Sequence, residues 1–81
     1  MVLTITTLML AVKAMQRDIA RNEALASDAT LDDNDLEYYG QMVMDQLPAF
    51  AELRQAYEEE QANNPEFPPL DELLFPEKYQ I

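Results

Sequence analysis

The sequence predicts an all-α protein whose centre is an antiparallel two-helix hairpin. Three observations carry that prediction: two long runs of apolar residues at helical spacing, a short acidic turn between them, and no segment with the alternation of a strand. The first run is Ile5, Leu8, Val12, Met15, Ile19, Asn22 and Ala26, in which steps of three and four alternate. That spacing keeps one face of a helix toward a partner, and it predicts a helix over 4–27. The second run, Leu36, Tyr39, Val43, Gln46, Phe50, Leu53 and Tyr57, repeats the alternation and predicts a helix over 31–62.

The residues between the runs specify a turn. Ser27-Asp28-Ala29-Thr30 interrupts the first helix, and Thr30 or Asp32 can accept hydrogen bonds from the free amides that open the second. Asp32, Asp33 and Asp35 then lie where the positive end of the helix dipole favours acids. A connection this short makes the helices antiparallel. Facing residues in such a hairpin have numbers of constant sum, and a sum of 58 places every seam residue opposite another: Leu8 by Phe50, Val12 by Gln46, Ile19 by Tyr39, Asn22 by Leu36. That register also sets Arg21 near Glu37 and Lys13 near Asp45.

Gly40 and Pro48 interrupt the second helix. Glycine costs roughly 1 kcal/mol against alanine in a helix interior, and an internal proline removes an amide and crowds the preceding turn at a cost of about 3 kcal/mol. A kink is expected near 45–48, with a full break at Pro48 as the alternative. A kink there turns Leu47 rather than Gln46 toward Val12. Asn63-Asn64-Pro65 stops the helix, and a Pro-rich tail over 63–81 follows, with a short helical turn at 69–75. Phe67, Leu70, Leu73, Leu74, Phe75, Tyr79 and Ile81 make this tail too apolar to remain solvated.

The 81 residues read as one domain, small enough that association with a partner or a second copy is the cheapest source of extra stability, since no cysteine supplies a disulfide. The apolar stretch at 1–12 lacks a preceding positive charge and is too short for a bilayer, so no membrane segment is expected and the cytoplasm is the expected location. The net charge of −11 is uneven: 1–27 sums to +1 and 28–81 to −12. Such a surface repels nucleic acid and anionic lipid and favours a basic partner.

The chemistry available to the chain is narrow. It has no histidine, no cysteine and one serine, Ser27, so the groups that usually serve as base or nucleophile near neutral pH are missing, and no enzymatic activity or cofactor is expected. Asp32 with Asp35, and Glu52 with Glu59, share helix faces, which a solvated acidic surface explains. Asp32-Asp33-Asn34-Asp35 begins like a calcium loop but has no glycine at the sixth position, and no metal site is expected.

The informative feature is a second apolar surface. Leu10 on the first helix, and Tyr38, Met42, Met44 and Leu47 on the second, point away from the seam. A helix apolar on more than one face is buried on more than one face. Either the tail folds back over these residues, or two hairpins pair into a four-helix bundle as a homodimer, or a partner is gripped. The candidate partner-binding residues are Leu10, Tyr38, Met42 and Met44 on the helices and Phe67, Leu70, Leu74 and Phe75 on the tail. The expected function is that of a non-catalytic interaction module for a protein that is basic or has an apolar groove. The alternative is an acidic imitation of nucleic acid that blocks a DNA- or RNA-binding protein.

Overall fold

The computed structural model describes residues 3–79. Helix α1 spans Ile5–Ala26, α2 spans Asp33–Ala62, α3 is the short Leu70–Leu74, and a 3-10 turn covers Pro76–Tyr79. Helices α1 and α2 pack along each other as the predicted hairpin. The whole measures 46 × 38 × 14 Å. Since packed helices stand about 8–10 Å apart, a depth of 14 Å leaves no room for a third layer.

Each helix boundary has a local cause. The Thr4 hydroxyl oxygen accepts from the Thr7 amide at 3.1 Å and caps α1. In the turn, Asp28 Oδ1 accepts from both the Thr30 hydroxyl at 2.6 Å and its amide at 2.9 Å. These two bonds hold the Asp28 carboxyl below its ordinary pKa, the hydroxyl contributing most. Of the two candidates for the second cap, Asp32 fills the role, its Oδ1 accepting from the Asp35 amide at 2.9 Å. At the far end the side-chain amide of Asn64 donates at 2.8 Å to the Glu60 carbonyl, which also accepts the Asn63 backbone amide at 3.1 Å.

Pro48 does not break α2, which is helical throughout. The proline is exposed and, by helical spacing, stands on the side opposite the seam. The Met44 carbonyl that loses its donor therefore faces water rather than the core.

All fourteen predicted seam positions are buried or half-buried, and Leu8, Val12, Ile19, Asn22 and Tyr57 are the most deeply covered of them. Their pairing differs from the expectation. Asn22 Nδ2 donates to Gln46 Oε1 at 2.9 Å, and Gln46 Nε2 donates to Asp18 Oδ2 at 2.6 Å, so facing numbers sum to 64–68 rather than 58. The hairpin is shifted by about one heptad. A seam with a seven-residue repeat tolerates that shift, and the two polar seam residues decide it. The register of 58 buries Asn22 against Leu36 and Gln46 against Val12, leaving two amides without partners at about 1–3 kcal/mol each. The observed register joins them, and among the described residues no buried side-chain polar atom lacks a partner.

Two further expectations fall with it. Gln46, not Leu47, lies in the seam, and Leu47 is exposed. The ion pairs of Arg21 with Glu37 and Lys13 with Asp45 do not form; Arg21 instead meets Asp18 on its own helix at 2.7 Å.

The tail docks on the hairpin, but the alternative in which it covers the outward residues is not taken: Leu10, Tyr38, Met44 and Leu47 stay exposed. Leu73 and Leu74 insert beside Leu8, Val12 and Tyr57, with Phe50, Leu53 and Leu70 packed around them. Three side chains fasten it: the Tyr57 hydroxyl donates to the Pro68 carbonyl at 2.6 Å, Gln61 to the Phe67 carbonyl at 3.2 Å, and Gln16 to the Leu74 carbonyl at 2.8 Å. Burial raises the pKa of the Tyr57 phenol, and the nearby Glu72 carboxylate raises it further. Ile81 lies outside the described residues.

Candidate interaction surface

The position of the tail gives the hairpin two unlike broad faces. On α1 the tail is fastened at Gln16, and on α2 at Tyr57 and Gln61. A residue two places along a helix stands about 200° away around the axis. Asp18 on α1 is therefore turned to the other face, away from the tail.

The predicted binding residues do not form one patch. Leu10 is exposed on the outer side of α1, opposite its seam. Tyr38, packed edge to face on Tyr39 at 5.2 Å, and the half-buried Met42 stand about 140° and 100° around α2 from the tail-fastening Gln61. Met44 stands about 120° around the helix from Tyr38 and is 67% exposed. On the tail itself, Leu74 is buried in the core and Leu70 packs against it. Phe67 is half-buried, and Phe75 is exposed with the Lys78 ammonium 4.9 Å over its ring. Leu70 and Leu74 thus serve the chain's own core in this conformation.

Along α2 runs a row of which the candidate set held only Met44: Gly40, Met44, Leu47 and Ala51, at steps of four, three and four. Leu47 is 49% exposed, and a methyl group built on Gly40 meets nothing within 4 Å. The signal was present in the sequence as a second heptad seam beside the first, but two of its members are too small to register as apolar anchors. The outer side of α2 is polar instead, with Gln41 bonded to Asp45 and Gln55 to Glu59 along it.

Among the described residues no group of three or more carboxylates is arranged to hold a metal ion, and no helix is long and apolar enough to cross a membrane. Comparison with protein-family models, curated proteins and solved structures finds no match to this chain.

Proposed function

We propose that the protein is a non-catalytic interaction module that binds another protein chain through the exposed apolar residues of α2. One observation carries this reading: Met44 and Leu47 stand exposed on adjacent turns of α2, and neither belongs to the apolar cluster on which the tail docks. Large apolar side chains grouped on one face are what a partner covers. Methionine suits such a surface because its flexible thioether adapts to irregular neighbours.

The test is affinity capture from the cells that make the protein, with the intact chain, Leu47→Glu and Glu59→Ala as baits. A discrete partner should survive moderate salt on the first and third baits and be lost from the second. Retention by Leu47→Glu would refute the reading. A partner held instead by the acidic side of α2, as in a nucleic-acid imitation, should be indifferent to Leu47 and lost steeply as salt rises.

A further inference from the structure

The groove that the tail fills holds its occupant by the main chain. Three side chains of the hairpin reach the tail, and all three donate to backbone carbonyls: Gln61 to Phe67 at 3.2 Å, Tyr57 to Pro68 at 2.6 Å, and Gln16 to Leu74 at 2.8 Å. The first two hold the stretch ahead of α3, and the third holds its last residue. Between them Leu73 and Leu74 are buried against Leu8, Val12 and Tyr57. Every residue type has a carbonyl, so these donors read the path of the backbone. Selection falls to the leucines that fill the groove and to the prolines that set the path.

We infer that this groove is a binding site for a segment of another protein with the tail's own chemistry: an extended Pro-Pro stretch leading into one acidic helical turn with two adjacent leucines. The tail is then a competitor that the chain carries for its own site. The inference goes beyond the α2 surface proposed above and does not depend on it.

Two observations favour an exchangeable occupant. The first is that the tail has little structure of its own to lose. Helix α3 has five residues and no side-chain cap, and Pro69 ahead of it is extended at φ −62° and ψ 156°. A helix that short does not persist alone in water, so the groove imposes the fold on whichever segment enters it. The second is charge. The tail carries Glu66, Asp71, Glu72 and Glu77 against Lys78. Lys13 stands on the tail's side of α1, about 60° around the axis from Gln16, and gives that edge of the groove a charge that attracts an acidic segment. Val12 and Tyr57 are fully buried beneath the tail, and leaving them bare is costly. The tail therefore departs as a replacement arrives.

The probe is a synthetic peptide of residues 66–81, labelled at its amino end and followed by fluorescence anisotropy with full-length chains. Against the intact chain it should bind weakly, because the tethered tail competes at an effective concentration on the order of millimolar. Leu74→Ala in the chain loosens the competitor, and the peptide should then bind at least about tenfold more tightly and raise the thermal midpoint of that chain. In the Leu74→Ala chain, adding Tyr57→Phe should weaken binding about two- to tenfold, and adding Leu47→Glu should leave it unchanged. A peptide with Asp71→Lys and Glu72→Lys should bind about three- to tenfold more weakly, a difference that shrinks as salt rises. A peptide with Leu73→Asp and Leu74→Asp should not bind. Should Leu74→Ala lose its helices by circular dichroism, Leu70→Ala, at a half-buried position, makes the same measurement.

Equal affinity for the intact and loosened chains, or binding by the doubly aspartate-substituted peptide, overturns the inference. So does a loosened chain that excludes the peptide and doubles its mass in light scattering, which would make the tail of a second copy the occupant.

Discussion

The two ends of the hairpin solve the same problem differently. Where the tail docks, three segments converge, and Leu8, Val12, Tyr57, Leu73 and Leu74 form a shared apolar cluster. Toward the turn only two helices meet. Ile19 and Asn22 are the buried residues of α1 there, and Asp18, Asn22 and Gln46 close the seam through hydrogen bonds. Two helices touch along a line and cannot enclose side chains on all sides. A third segment completes the core at one end, and at the other a polar network sets the alignment while the flanking surface stays open.

The strongest way to break this comparison is to remove residues 66–81. The tail-side cluster loses Leu73 and Leu74 and exposes Val12 and Tyr57, so cooperative thermal unfolding, followed by circular dichroism, should disappear. A truncated chain that unfolds as sharply as the intact one would mean that the hairpin stands alone. Next in size is truncation within each end. Tyr57→Ala should cost about 3–5 kcal/mol and Ile19→Ala about 2–4 kcal/mol in urea titrations; a larger loss at Ile19 would invert the ranking of the two ends.

Asn22→Leu sharpens the turn-side half. It should destabilise by about 1–3 kcal/mol, because Gln46 loses a buried partner, and adding Gln46→Leu should recover much of the loss. An additive double variant would show that the two side chains act separately. On the tail side, the phenol of Tyr57 titrates above its ordinary value because of burial and, second, Glu72. The folded chain therefore favours the protonated form. That contribution is complete below the unfolded pKa of about 10 and is lost as pH rises through the higher folded value. Urea midpoints measured between pH 8 and 11.5 should fall more steeply for the intact chain than for Tyr57→Phe. Smallest of all, Glu59→Ala on the exposed side of α2 should stay within about 0.5 kcal/mol.

Much of this architecture is legible residue by residue. The heptad spacing of both seams, the Asp32 cap and the stop at Asn63-Asn64 are local features, and local features decide where helices begin, end and turn their apolar sides. The register was legible too, but only to a reading that weighted Asn22 and Gln46 above the apolar positions around them. The candidate surface was less accessible. Met44 and Leu47 were recognised as outward-facing, yet Tyr38 and Leu10, equally outward, project to other sides, and only the docked tail shows that these four stay uncovered.

By itself, then, the sequence determined that two helices form, that they run antiparallel, that their seams are buried and that the tail must find cover. Local spacing and capping suffice for those outcomes because they depend on neighbours within a few turns. Tertiary structure decided which of two heptad registers is adopted, where the tail lands and which face it leaves open. Each of these is a choice between arrangements with similar apolar burial, settled by long-range polar partners: Gln46 for Asn22, the Pro68 carbonyl for Tyr57, and the Leu74 carbonyl for Gln16.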